Sequence, residues 1–412
     1  MKLIMVSHNY HPFLLNEIKF ASEVFEEVFV IALENKEVCM KYENNSKVKL
    51  CMFSKAELHR VALRSSFQIF DKEKRDELLQ VIKTNRISKK YIKEYLLYLA
   101  MENICIEWCK KINVNGENSR HYVALACWYA SDAYAIYQLK KKYRELSIFS
   151  LAHSFEIDPV KNPYIVDLFR KQYHEHLKCV YFISKNVMRE FNNSIGKLLN
   201  LSCDNVKVRY LGTLKKQPGY TKRNEQLPYH ILTCSYVVPV KRVSEFYNVL
   251  NKYADIPLIW THIGEGKGFM DLSRETEKKD NQYLKVNLLG KMTNDDIHKF
   301  YIENNIDLFV NYSTSEGIPV SIMEAIAYGV PVVATDVGGN SEIVNDSYGA
   351  IVPVDVNGIV LWKTIKGLLE KDNDELIEMK KMASAFFNCN FNADSIRVSF
   401  YQEILRICEE ES

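Results

Sequence analysis

A series of short apolar runs, each closed by a polar or small-residue cluster and separated by helix-patterned sequence, constrains this chain more than any other feature. In the first half the runs are KLIMVS (2–7), VFVIAL (28–33), YVALACW (122–128), LSIFSLAH (146–153) and CVYFIS (179–184). Such runs read as buried strands, and their alternation with helices implies a parallel sheet. Residues 55–112 read as mostly helical, an insertion in that scheme. GTLKKQPGYTKRNEQLP, rich in Gly, Pro and Lys, then breaks the pattern, and 213–228 read as a linker. The alternation restarts with YHILTCSYV (229–237), PLIWTHIG (257–264), VNLLG (286–290), IDLFVNYS (306–313) and VPVVATD (330–336). Two α/β domains are therefore expected, 1–212 and 229–385, with a helix over 386–412 packing back on the first. No repeat of ~20–50 residues recurs.

Composition narrows the class. A length of 412 residues suits two domains better than one core. Apolar residues at 47% and charged residues at 26% are those of a globular chain, not a disordered one. The longest apolar runs, such as LIMV and GVPVVA, fall far short of the ~20 residues that span a bilayer. MKLIMVSHNYHPF lacks the apolar region and cleavage site of a signal peptide, so a cytoplasmic location is expected. The ten cysteines are scattered and read as buried thiols. Cys105 and Cys109 stand at helical spacing, but no His or second Cys pair completes a ligand set, and no metal is assigned.

Charge is uneven. Residues 1–213 carry 33 Lys and Arg against 24 Asp and Glu, an excess of +9, and the remainder carries 21 against 28, or −7. The basic residues concentrate in 85–111 and 139–146. The first stretch mixes Lys and Arg with Tyr, Leu and Trp, as a helix docked on acidic lipid does. A solvated helix packed on its own domain has the same pattern, and both readings stay open.

The densest chemistry lies in SEGIPVSIMEAIAYG (315–329). The preceding run stops at TSEG, Pro319 suits the first turn of a helix, and Gly329 with Pro331 ends it. Glu316 then sits in a loop at a strand's carboxyl end and Glu324 one to two turns into the helix. Two carboxylates there can accept paired hydrogen bonds from sugar or ribose hydroxyls. Free amides near Val320 and Ser321 would meet a phosphate. A helix start that merely favours acidic neighbours is the plainer alternative. The next loop, VVATDVGGNSEIV, repeats the arrangement, with Gly338 and Gly339 before a helix that Asn340 or Ser341 could cap.

Lys241 and Arg242, in YVVPVKRVSEF, follow the first strand of the second domain, where a cation could neutralise a departing diphosphate. A solvated pair is the plainer reading. HIGEGKGF (262–269) is glycine-rich without the spacing of a dinucleotide fingerprint or P-loop. DND (372–374) reads as a helix cap rather than a metal motif.

Taken together, VVPVKRV, HIGEG, LLGKMTNDDI and above all SEGIPVSIMEAIAYGVPVVATDVGGNSEIV resemble the donor domain of family 4 glycosyltransferases, retaining enzymes of the GT-B fold. The likeness is dense over 229–353 and looser in the first half, through KLIMVS, LAHSFEID, VYFIS and VKVRYLGT. It implies two Rossmann-like, doubly wound parallel-sheet domains facing each other across a cleft, the first binding acceptor and the second donor. It implies a catalytic set of Glu316 against the donor sugar and phosphate, Lys241 on the diphosphate and His153 near the reacting sugar carbon. Glu324 is implied to hold the ribose. Arg242, Gly317, Ile318, Pro319, Val320, Ser321, Gly264, Lys291 and Met292 complete the expected donor contacts.

The chain departs from the pattern twice. Tyr236 stands where many members carry an arginine, five residues before the lysine, and HNYHPFLLNEIKF lacks the glycine pair common in the first loop. The expected activity is retaining, metal-independent transfer from a nucleotide sugar, a UDP-sugar rather than a GDP-sugar, with no cofactor. The expected acceptor is a glycan or lipid-linked hydroxyl in cell-surface polysaccharide assembly, at or near the inner membrane face, with no nucleic acid involved. An epimerase or phosphorylase of the same fold, or a non-catalytic partner-binding subunit, are the alternatives.

Overall fold

The computed structural model describes residues 1–9, 13–83, 88–157, 168–215, 227–278 and 281–410. Most of the expected linker, 216–226, and part of the first loop, 10–12, lie outside them. The chain forms two compact units, Met1–Arg209 with Arg397–Ser412, and Tyr210–Ile396.

The first unit is built on seven strands: β1 (Lys2–Ser7), β2 (Glu27–Leu33), β3 (Val48–Phe53), β4 (Tyr122–Ala126), β5 (Ser147–Ala152), β6 (Cys179–Phe182) and β7 (Val206–Val208). They pair in the order β3-β2-β1-β4-β5-β6-β7, parallel throughout. Leu3, Ile4, Met5 and Val6 of β1 are all fully buried, as a central strand covered on both faces requires. β3 and β7 escaped the sequence reading because each is an edge strand that carries a lysine, Lys49 or Lys207, and is buried only in part.

The expected helical insertion is present as Lys55–Ser65, a short turn Ser66–Phe70, Lys72–Lys83 and Lys89–Lys111. The last of these does not behave as an interfacial helix. Its residues Tyr91, Tyr95, Tyr98, Leu99, Met101, Ile104, Cys105 and Cys109 are buried, and it packs against Lys55–Ser65 and Ser131–Lys142. Even its polar Glu102 is internal, ion-paired to Lys74 at 2.8 Å and accepting from Tyr134. Burial pushes the Cys109 thiol up to about 12, an inert side chain. Among the described residues no helix is long and apolar enough to cross a membrane.

The second unit holds β8 (Tyr229–Cys234), β9 (Leu258–Ile263), β10 (Leu284–Leu288), β11 (Leu308–Asn311), β12 (Val332–Thr335) and β13 (Gly349–Val352). Their order is β10-β9-β8-β11-β12-β13, again parallel. One face of this sheet packs on a core centred on Trp260, Phe246, Leu250, Leu361 and Ile365. Asp372 caps the helix Asn373–Asn390 through the Glu375 N–H, as DND suggested.

A charged cluster ties the first helix of the first unit to the chain's last. Glu17, on the helix Phe13–Val24, accepts both oxygens' worth of bonding from Arg209 at 3.0 and 2.8 Å and a bond from Tyr401 at 2.6 Å, with Arg397 at 3.8 Å. Burial alone would raise this carboxyl, but Arg209, Arg397 and the Tyr401 hydroxyl outweigh it and hold it below the ordinary carboxylate value. Glu17→Gln leaves two guanidinium groups uncompensated, and we expect a loss of ~3–5 kcal/mol in urea unfolding at neutral pH. Because the folded carboxyl is depressed, its contribution is complete above the ordinary value of 4.5 and fades as pH falls through the folded one. Wild-type and variant stabilities should converge in acid, and a gap independent of pH would refute the charge argument.

Candidate functional site

In the second sheet the strand order reverses between β8 and β11, so the loops leaving their carboxyl ends diverge and open a depression. It is lined by Thr233 and Cys234 at the end of β8 and Ser235 after it, by Asn311 at the end of β11 with Tyr312 and Ser313 after it, and by Lys241. This is where the spacing of SEGIPVSIMEAIAYG placed a crevice.

Glu316 is the hub of the site. Its carboxylate is buried and accepts from Lys241 Nζ at 2.6 and 2.7 Å, from Ser313 Oγ at 2.7 Å and from Asn311 Nδ2 at 3.0 Å. Lys241 reaches it from the end of a single turn, Pro239–Lys241, whose proline fixes the first backbone angle. The Val240 carbonyl accepts from the Thr314 amide at 2.8 Å and joins the two loops. The lysine side chain keeps 23% exposure, so a cation faces the depression.

Arg242 does something different from its neighbour. Its backbone is left-handed, with φ of 48°. Its guanidinium stacks 3.6 Å from the Tyr312 ring centre and donates to the Tyr312 carbonyl at 2.8 Å. In this geometry it fixes the loop that carries Asn311 and Ser313.

The paired glycines pack loop on loop. A Cβ on Gly338, where φ is +55°, would stand 2.1 Å from the Glu316 carbonyl oxygen. Gly339 donates its N–H to the Gly317 carbonyl at 2.8 Å. Gly264 of HIGEG, with φ of +139°, lies against the Ser235 carbonyl, 1.9 Å from where its Cβ would be. His262 of the same motif is internal, bonded to Thr233 Oγ1 at 2.8 Å, and burial pushes it down to about 4. Lys291 is exposed and Met292 half-buried in the loop after β10.

The helix Val320–Ala327 begins at Pro319, which offers no side-chain cap. Among the described residues the Val320 and Ser321 amides have no acceptor, as a helix start free to meet an anion requires. Ile318 is buried, with Gly339 against it. Gly329, at φ of +71°, ends the helix, with Val330 bonded to Ala325 and Gly329 to Ile326. Glu324 accepts from Asn294 Nδ2 at 3.0 Å, and burial raises its carboxyl to about 7. The expected cap by Asn340 or Ser341 is not made: Gly339 occupies the N-cap position, and Asn340 is buried with its amide donating to the Thr335 carbonyl.

The first unit has its own reversal, between β1 and β4. His153 follows β5, held by Glu156 at its backbone N–H (2.7 Å) and at Nδ1 (3.2 Å). Its ring lies 4.7 Å from that of Trp128. The ring of His8, after β1, lies 6.0 Å from that of Trp128. The His8 N–H and Nδ1 both meet Asp132 Oδ1, at 3.0 and 2.8 Å. Burial lowers the imidazole, but Asp132 outweighs it and His8 titrates above its ordinary value. The sequence reading missed His8 and Asp132, which are 124 residues apart. His153 came from the family resemblance, and the one local signal for His8, a histidine directly after the buried run KLIMVS, is by itself as consistent with a structural side chain. Among the described residues no three His, Cys, Asp or Glu side chains are grouped to hold a metal ion.

Comparison with known proteins follows this geometry. Residues 222–386 match the family model described as Glycosyl transferases group 1. Protein CapJ of Staphylococcus aureus is 29% identical over 171 residues, 41% of this chain and 40% of that protein. The O-antigen biosynthesis glycosyltransferase WbnH of Escherichia coli is 32% identical over 122 residues, 29% of this chain and 32% of that protein. The matched segments thus span 40% or less of these curated relatives' own length. HepE of Anabaena, solved in complex with UDP-glucose, aligns over 98% of this chain and 99% of its own at 15% identity, with a TM-score of 0.64. Sucrose-phosphate synthase from Thermosynechococcus elongatus aligns over 100% of both chains at 11% identity, with a TM-score of 0.68. The chain has the GT-B fold, two Rossmann-like parallel-sheet domains, and its second unit carries the match to the group 1 glycosyl transferases.

Proposed function

We propose that this protein is a retaining, metal-independent family 4 glycosyltransferase that moves a sugar from a UDP-sugar to an acceptor hydroxyl. The observation that carries the reading is the Glu316 carboxylate, buried at the switch point of the second sheet and held by Lys241, Asn311 and Ser313. Lys241 supplies positive charge where the diphosphate departs, and the Val320 and Ser321 amides face it from a helix start. Glu316 orients the lysine and meets the donor sugar, and Glu324 takes the ribose hydroxyls. The bond from the sugar carbon to phosphate breaks as the bond to the acceptor oxygen forms on the same face. The acceptor's proton leaves on the phosphate oxygen. The family resemblance assigns His153 a role at the reacting sugar carbon.

HepE, with UDP and with UDP-glucose in its solved complexes, supports a uridine donor, and the O-antigen role in WbnH's name supports a cell-surface polysaccharide product. On that reading the acceptor is a glycan or lipid-linked saccharide, and the protein works in the cytoplasm at the inner membrane face.

Lys241→Ala and Glu316→Ala should each lower turnover by ~10²-fold or more, read as UDP release from UDP-sugars with acceptor present. Undiminished turnover in either variant removes that residue from the mechanism. Turnover should persist in a chelator, and its loss there would refute metal independence. Glu324 generates a pH test, because its carboxyl ionises near 7 in the folded chain and the ionised form is the better acceptor for two hydroxyls. UDP affinity should rise between mildly acid and mildly alkaline pH in the wild type. Glu324→Gln should bind more weakly and lose that part of the rise. Identical pH profiles for the two would exclude the ribose role.

A further inference from the structure

The helix that looked interfacial in sequence is internal, yet the same insertion turns an apolar face outward elsewhere. Leu63, Phe67 and Phe70 are 70%, 74% and 79% exposed. They lie at i, i+4 and i+7 along Lys55–Ser65 and the turn Ser66–Phe70, so they share one side. Ser65 marks the opposite side. It is buried, and its hydroxyl accepts from Asn103 Nδ2 of the internal helix at 3.0 Å. The element is held on its inner side by Ser65 and by the half-buried Leu58, Val61 and Ile69, while Leu63, Phe67 and Phe70 face solvent.

We propose that this face, Leu63, Phe67 and Phe70, docks the protein on an anionic lipid bilayer. Charge selects that occupant. Lys55, Arg60 and Arg64 flank the face, all exposed, and none has an acidic partner among the described residues. Glu57 is the one acid on this helix, in its first turn, where its backbone N–H donates to the Ser54 hydroxyl, so the three cations outnumber it. Aromatic and leucine side chains seated at the headgroup boundary, rimmed by arginines that reach phosphate, are the chemistry of an in-plane helix. A protein partner would bury the same apolar atoms without needing the unpaired cations. The inference deepens the membrane part of the reading above and rests on that part alone.

The test is sedimentation of the full chain with vesicles of phosphatidylcholine, and of phosphatidylcholine and phosphatidylglycerol in equal parts, at low and high salt. The wild type should bind the anionic vesicles, release in high salt and ignore the neutral ones. F67S/F70S and R60E/R64E should each weaken anionic-vesicle binding by ~tenfold or more. Thermal unfolding and UDP affinity, measured on the same variants, should stay at wild-type values, which separates loss of docking from loss of fold or of the donor site. Absence of vesicle binding by the wild type, or binding that survives both double variants, overturns the proposal. So does a wild-type dimer that F67S/F70S converts to monomer without lipid, which would make the face a contact between copies.

Discussion

The carboxylate of Glu316 organises the loops at the carboxyl-terminal edge of the second unit's sheet. It is buried with a lysine and two neutral donors around it, and each comes from a loop that would otherwise be free to choose its own path. Burying such a pair costs desolvation on both partners, so its worth is geometric rather than stabilising. It sets where the Lys241 ammonium stands, pulls the loop after β11 against the loop after β8, and leaves the helix start at Pro319 beside them. On the proposed reading an entering diphosphate finds this cation already placed and competes with Glu316 for it.

The first unit uses the same device with other residues. Asp132 and Glu156 each take both a backbone N–H and a ring nitrogen of a histidine, and both rings lie near that of Trp128. For His8 the Asp132 carboxylate outweighs burial and raises the affinity of the imidazole for its proton. In both units the loops at strand carboxyl ends are therefore not loosely held. Buried acids determine what they present.

Much of this was legible in the chain because the central strands are continuous apolar runs such as KLIMVS and VPVVAT, and their alternation with helices points to a covered parallel sheet. The edges were less so: β3 and β7 carry lysines and are half-solvated, so no local signal separates them from loop. Glu316 and Lys241 could be singled out from strand-end position, but their pairing across 75 residues could not. Arg242 shows the limit of composition. Adjacent to Lys241 and alike in charge, it is turned by one left-handed residue into a stack on Tyr312. Of the two readings open for 85–111, the structure agrees with a helix packed on its own domain, because Tyr91, Tyr95 and Tyr98 are part of the insertion's core.

The glycine contacts bear on how such a site can be altered. Gly264 and Gly338 touch backbone carbonyls and have no room for a side chain. The frame of the depression is thus closed to substitution, whatever ligand it takes. Variation in what the site accepts has to enter through residues that the frame leaves free, such as Tyr236, which is 69% exposed just beyond β8, and Lys291 beyond β10. On the proposed reading, a library aimed at a different donor would be built there, on a scaffold whose glycines are left alone.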